Sequence, residues 1–282
     1  MGGAWSWPSD RGLARLGDEL GVRRVPQAAE GLAVVDSYGT EPDTGAAGPG
    51  AVRFEGGAQQ LAEKLAVGLR VTLDAPVSAI RVEKGVACET QKETVRGRCA
   101  VVTAPPRVAA AIEYEPELSR KKKAAMESTM TWMGEATKIG LKFPKPFWKE
   151  KGFSGNAYSN QGPLTQVWDN SDDEGESVLA GFMFGPPEDD EAVMVQLRRI
   201  FGDVPEPTST VRTSWGTEPW TFRRPPSGAA NTRQFGRPEL STPHHDVVFF
   251  AGTETYPEHG HIEGAVQSAY RVSKEVQALL LT

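Results

Sequence analysis

Three stretches of the sequence bring together groups that could do chemistry. The first is the C-terminal run. Val247-Val248-Phe249-Phe250-Ala251 is β-branched and aromatic, suited to a strand buried on both faces, and Gly252-Thr253 stops it. Glu254 and a polar loop follow. Ile262 then opens a helix, with Ile262, Val266, Ala269, Val272 and Val276 at three- and four-residue spacing and Lys274 near its end. A helix start offers unpaired N–H groups and a partial positive charge, so Ile262, Glu263, Gly264 and Ala265 can receive an anion or an electron-rich carbonyl. An ordinary last strand and helix of an α/β domain has the same pattern, so the residues invite a ligand without identifying it.

The second stretch is Met133–Phe143, which alternates as a strand and ends at Pro144-Lys145-Pro146-Phe147-Trp148. Lys138 lies there between Ala136 and Gly140, on a face of small residues that could approach a planar ring. A lysine is otherwise a surface charge. The third is Ser214-Trp215-Gly216-Thr217-Glu218-Pro219-Trp220, where two tryptophans serve either core packing or a ligand.

Other elements must position these groups. Pro8-Ser9-Asp10 starts a short helix carrying Leu13, Leu16 and Leu20, closed by Gly21. Leu32–Val35 suits a strand, and 38–50 is a Gly/Pro-rich loop. Its Gly45-x-x-Gly48-x-Gly50 does not cradle phosphate, because Pro49 removes a donor and no helix follows. A helix with Leu61, Leu65 and Val67 precedes strands at Arg70–Leu73, Val77–Val82, Val86–Glu89 and Cys99–Thr103. The basic cluster 121–125 reads as a solvated helix face. Ser177–Gly185 fits a buried central strand, and 188–201 an amphipathic helix. Strands mixed with helices give the α/β class.

Composition narrows the classes. A net charge of −6 with both signs interspersed gives no stripe for a phosphate backbone or anionic lipid, so nucleic acid and membrane are not expected partners. No apolar run reaches spanning length and the N-terminus lacks the pattern of a signal peptide, which leads to an expected cytoplasmic location. Two cysteines, Cys88 and Cys99, are too few for a disulfide framework or a metal site.

The wording of these stretches resembles the flavin-containing amine oxidases, the monoamine oxidase family. The matching segments are FAGTET with GHIEGAVQSAYRV, GGAW before the first helix, Pro76-Val77-Ser78-Ala79-Ile80, and Met133-Gly134 with Lys138 ahead of Pro146-Phe147-Trp148. The resemblance implies FAD as cofactor in a two-domain α/β fold, with an FAD-binding domain and a mixed-sheet substrate domain. Residues 1–127 and 216–282 would then form the FAD-binding part, and 128–215 the substrate part. Carried over by position, Glu254 after Gly252-Thr253 meets the ribityl chain. The backbone of Ile262 to Ala265 meets the electron-rich edge of the flavin ring, and Val77 meets the adenine. Trp215 and Trp220 line the flavin edge, and Lys138 holds a water near it. The implied reaction oxidises an amine or amino acid to an imine, with oxygen as final acceptor and peroxide as product.

This sequence also departs from the family pattern. The family's N-terminal βαβ unit of roughly 30 residues, with its G-x-G-x-x-G, has no counterpart in the 282 residues. Much of a helical insert expected before Gly56-Gly57 is missing too. From domain norms the match is expected to reach about two-thirds of a family member. The tethering cysteine falls at Arg224, so FAD would bind non-covalently. The two substrate-caging tyrosines fall at Pro225 and His261, and Arg223, Arg224 and His261 would instead make the pocket basic, suiting an amine that bears a carboxylate. The alternative expectation is a non-catalytic, truncated homologue that does not retain FAD; a half-site completed by a partner chain is a third. The sequence leaves the oligomeric state open.

Overall fold

The computed structural model describes all residues except 1, 47–49, 132, 173–174, 185–188, 225–231, 258–259 and 282. The chain divides into two compact units. One comprises 1–9, 17–62 and 135–215, the other 10–16, 63–134 and 216–282.

The first unit is built on a seven-stranded mixed sheet. Its order is Ser209–Ser214, Ala136–Phe143, Ser177–Phe184, Leu164–Asp169, Phe153–Ser159, Leu32–Asp36 and Asp43–Ala46. Only the join of Phe153–Ser159 to Leu32–Asp36 is parallel, and it ties residues 17–62 to a sheet made mostly by residues 136–214. The pleat sends alternate side chains of Ala136–Phe143 to opposite faces. Ile139, Leu141 and Phe143 are buried with Leu179 and Met183 of the next strand and with Val193, Leu197 and Ile200 of the helix Asp190–Phe201. That helix starts where Asp189 accepts the Ala192 N–H at 2.8 Å and ends at Gly202, whose φ of 77° suits glycine.

The second unit holds a four-stranded sheet, ordered Glu113–Glu115, Val77–Val82, Val86–Thr90 and Thr94–Gly97, and a parallel pair, Val248–Phe250 with Ala100–Val102. Ile80, Val86, Val102, Tyr114, Val248 and Phe250 share its core. The last helix, Ile262–Leu281, packs Val272 and Val276 on Phe249 and Ala251.

Three expectations are corrected. Within 38–50 the chain forms the strand Asp43–Ala46, paired antiparallel with Leu32–Asp36, because the exposed edge of that strand gives it a ladder to join. The Gly45-x-x-Gly48-x-Gly50 stretch, rejected above as a phosphate cradle, falls partly outside the described residues. Residues 70–73 form no strand, since no neighbouring ladder accepts their backbone, and Val71 and Leu73 stay 58% and 73% exposed. The basic cluster is not wholly solvated. Lys122 is buried, its Nζ donating to the carbonyls of Glu239 (2.9 Å), Leu240 (3.3 Å) and Thr242 (2.7 Å) and lying 3.7 Å from the Phe250 ring centre. The acceptors come from the short helix Pro238–Ser241 and the residue that caps it, over a hundred residues away, which no local charge pattern reveals. Burial pushes its pKa down to about 8.

One buried ion in the first unit has a testable consequence. Asp169 is fully buried. Burial alone would raise its carboxyl pKa, but donation from Ser171 N–H (2.8 Å), Lys149 Nζ (3.0 Å) and Trp148 Nε1 (3.1 Å) outweighs this and holds it below the usual range. A depressed carboxyl stabilises the fold above its unfolded pKa, and that contribution disappears as pH falls through the folded value. Asp169→Asn should therefore cost about 1.5–3 kcal/mol at pH 7 and flatten the acid side of a Tm-against-pH curve. An acid limb with unchanged slope would contradict this assignment.

Candidate functional site

In the second unit the residues after Phe250 turn sharply. Gly252 sits at φ 138°, a conformation open to glycine and costly for other residues, and a Cβ there would lie 3.4 Å from Glu254 Oε2. Its N–H donates to Ser268 Oγ at 2.9 Å, and that hydroxyl donates to the Ala265 carbonyl at 2.7 Å. The Thr253 hydroxyl donates to the carbonyl of His261 at 2.9 Å. The turn is thus bolted at two points to the start of the last helix.

Glu254 is 5% exposed and has no cationic partner among the described residues. Burial raises its carboxyl pKa, against the lowering effect of its own backbone N–H. A buried carboxylate without a salt bridge is costly unless donors reach it, so this group is suited to a hydroxyl-bearing ligand. Beside it, the N–H groups of Ile262, Glu263 and Gly264 have no protein acceptor among the described residues, and Ala265 N–H reaches the His261 carbonyl only at 3.5 Å.

The structure separates the backbone of Glu263 from its side chain. The Glu263 carboxylate accepts the N–H groups of Gly12 (3.0 Å) and Leu13 (2.6 Å) and the amide of Gln267 (2.7 Å), so it caps the first helix, Arg11–Glu19. A Cβ on Gly12 would meet Gln267 Nε2 at 2.5 Å and Glu263 Oε1 at 2.9 Å, so a larger residue would push the ends of these two side chains aside. The sequence reading missed Gly12; a glycine inside an otherwise apolar helical stripe was the available signal.

Val77, Trp220 and Arg224 come together elsewhere in the same unit. They line a cleft of about 920 Å3 that runs along residues 100–104. Trp220 is 64% exposed. The carbonyl of Arg224 accepts from Arg107 at 3.0 Å, and Arg107 is itself buried, with its pKa lowered by burial. Thr103 connects this cleft to the turn, its carbonyl lying 3.9 Å from where a Cβ on Gly252 would stand. His261 is partly exposed at the helix start and is not among the cleft residues; Pro225 lies outside the described residues.

The first unit carries Lys138 and Trp215. Trp215 is partly exposed in a short turn after Ser209–Ser214. Lys138 is 6% exposed on the sheet face opposite the helix Asp190–Phe201. Its Nζ donates to the Gly2 carbonyl at 3.0 Å and lies 5.2 Å from the Trp168 ring centre and 5.7 Å from that of Phe182. Trp5 completes the aromatic group, 4.6 Å from Trp168 and 6.1 Å from Phe182. The face around Lys138 is therefore aromatic as well as small, because the neighbouring strands contribute Phe182 and Trp168. Burial lowers the Lys138 pKa to about 8, into a range where it can exchange a proton with water near neutral pH.

Comparison with known proteins bears directly on these features. A family model described as "Flavin containing amine oxidoreductase" matches residues 16–277. A probable flavin-containing monoamine oxidase A from Dictyostelium discoideum is 29% identical over 254 residues, covering 81% of this chain and 54% of that protein. An L-amino acid dehydrogenase from a Synechocystis strain is 28% identical over 258 residues, covering 82% of this chain and 52% of that one. The chain thus spans about half the length of these relatives, less than the two-thirds expected. Among solved structures, a putrescine oxidase bound to putrescine superposes with a TM-score of 0.83 at 18% identity, covering 98% of this chain and 88% of that one, a likeness of fold. The two α/β units, with a mixed-sheet unit and a unit holding a parallel strand pair, are those of an FAD-dependent amine oxidase-like fold. With its family model spanning both units, the chain belongs to the flavin-containing amine oxidoreductases.

Proposed function

We propose that this chain oxidises an amine or amino acid to an imine, using non-covalently bound FAD and oxygen, with peroxide as product. The observation that carries the reading is Glu254, a buried carboxylate that among the described residues has no salt bridge and stands beside helix-start N–H groups without an acceptor. These residues fit a flavin: the carboxylate would accept from ribityl hydroxyls, and the N–H groups of Ile262, Glu263 and Gly264 would stabilise a carbonyl edge that gains negative charge. When bound, FAD supplies the two-electron acceptor. Gly252 and Thr253 hold the turn that positions Glu254, Val77 and Trp220 would give apolar surface to the cofactor, and Trp215 is assigned to it by the family resemblance alone. Arg224 stands where relatives with a covalent tether have cysteine, which is why the cofactor is taken as dissociable.

Lys138 would hold a water and trade a proton with it, a task suited to an amine whose pKa burial brings to about 8. Arg224 would give the cleft it lines a basic character, favouring an amine that carries a carboxylate, while His261, outside that cleft, is assigned to the substrate by the family resemblance alone. The amino acid chemistry named for the Synechocystis relative is consistent with that preference. A second reading, a non-catalytic homologue that does not retain FAD, draws on a different observation: among the described residues the parallel pair has two strands.

Addition of FAD to purified protein should bring flavin absorbance into the protein fraction and raise Tm, by an amount set by about 2.7 kcal/mol at a hundredfold excess over Kd. Glu254→Ala should weaken FAD binding about tenfold or more, and peroxide release should be faster with amino acids than with aryl amines. A protein that FAD neither colours nor stabilises would decide for the non-catalytic homologue.

Lys138 yields a separate test that needs no cofactor. Its folded pKa, about 8, lies below the ordinary 10.5, so the unfolded chain binds more protons between these values and stability rises with pH across that window. Lys122 shifts in the same direction. Lys138→Met should raise Tm at pH 7 and reduce the climb between pH 8 and 10.5 without abolishing it. If the climb were identical in the variant, Lys138 would not be buried as a charged group.

A further inference from the structure

Glu254 stands in a turn whose two ends are held by one side chain of the last helix. Arg271 Nη2 donates to the carbonyl of Phe250, where the buried strand ends, at 2.6 Å, and to the hydroxyl oxygen of Thr255, the residue after Glu254, at 3.4 Å. The Thr255 hydroxyl carries the hold inward by donating to the Gly252 carbonyl at 2.8 Å. Gly252, already fixed at its N–H by Ser268, is therefore held at its carbonyl as well. The middle of the turn has a separate tie, from Gly236 N–H to the Glu254 carbonyl at 2.9 Å.

The rest of the guanidinium is engaged by Glu275. Arg271 Nη1 donates to its two carboxylate oxygens at 2.9 and 3.1 Å, one helical turn further on. With arginine ahead of glutamate and the side chains 30% and 32% exposed, such a pair adds little to the stability of the helix. Its consequence is orientation. A guanidinium is a rigid plane of donors, so fixing Nη1 on Glu275 aims Nη2 at Phe250 and Thr255. It also commits the cation, and the Glu254 carboxylate, next in sequence to an arginine contact, forms no salt bridge among the described residues. We propose that Arg271 is a positioning residue for the cofactor site, clamping the turn from Phe250 to Thr255 so that Glu254 faces inward and stays open to ligand hydroxyls, with Glu275 fixing the clamp. The proposal rests on Glu254 serving the ribityl chain of a flavin.

The clamp gives Glu254 a signature that needs no ligand. Burial holds its carboxyl above the ordinary 4.5, so the folded chain keeps that proton more firmly than the unfolded chain does, and the stability this contributes is lost as pH rises above 4.5. Glu254→Gln stands in for the protonated acid and does not suffer the loss. Comparing it with its parent at each pH cancels the other charged groups around the turn, Arg237 and Glu239 beside Gly236 and Arg271 and Glu275 on the last helix. Once Arg271 lets go, the turn opens, Glu254 gains water and the comparison flattens.

Two measurements test the clamp. Without FAD, the Tm gap between Glu254→Gln and the unaltered chain should widen as pH rises above 4.5, and should widen much less when both carry Arg271→Met. Thr255→Val, which leaves Arg271 on Phe250, should give an intermediate slope, and it carries both measurements if Arg271→Met does not fold. With FAD, Arg271→Met should raise Kd about tenfold or more, and Arg271→Lys should recover part of that. Added to Glu254→Ala, Arg271→Met should raise Kd by less than about threefold further, because the group it positions is already gone. Equal slopes with and without Arg271, or penalties that multiply in the double variant, would overturn the inference. An unaltered chain that binds no FAD would count against the flavin assignment, and the slopes of the unloaded protein would still decide whether Arg271 holds Glu254.

Discussion

A single backbone conformation connects the groups proposed to hold the cofactor. Gly252 at φ 138° lets the chain leave the buried strand Val248–Phe250 at an angle that places Glu254 inward, and the hydroxyl of Ser268 captures the Gly252 N–H from one turn inside the last helix. A larger residue would be strained there, and without Ser268 the turn would lose its tie to the helix. The buried carboxylate, the helix-start N–H groups that find no acceptor among the described residues and the Thr253–His261 hydrogen bond all follow from that turn. Glu263 extends the arrangement by capping the first helix, so the start of one helix fixes the start of another.

The first unit rests on a different constraint, the pleat of a strand buried on both sides. Ile139, Leu141 and Phe143 must be apolar because the helix Asp190–Phe201 covers them. On the reverse face Lys138 keeps a charged amine among Trp5, Trp168 and Phe182, with one backbone carbonyl as acceptor. Burying an amine that way costs stability when it is protonated, and its lowered pKa makes Lys138 a functional-site candidate.

Strong periodicity was legible in the chain. The run Val247–Ala251 gave the strand Val248–Phe250, the last helix began at Ile262 as its spacing required, and Met133–Phe143 contained the strand Ala136–Phe143. Weak local signals were not. Asp43–Ala46 reads as Gly-rich loop and becomes a strand only because Leu32–Asp36 offers an edge, while Arg70–Leu73 reads as a strand and stays irregular because nothing lies beside it. Lys122 looks like one of three equivalent lysines, yet it alone of the three meets carbonyls from 239, 240 and 242. In each case the deciding partner is far away in the sequence.

The sequence by itself determined the α/β class, the strand–turn–helix at the C-terminus and the family, because these depend on hydrophobic period, on glycine and on short motifs read within a few residues. Tertiary structure alone decided that residues 17–62 join the sheet of 135–215, that Val77 and Arg224 share one cleft while Glu254 belongs to the adjoining turn, and that Glu263 spends its side chain on the first helix. The physical reason is the same throughout: a side chain's environment, and with it its charge state and available hydrogen bonds, is set by whichever distant strand or helix end packs against it.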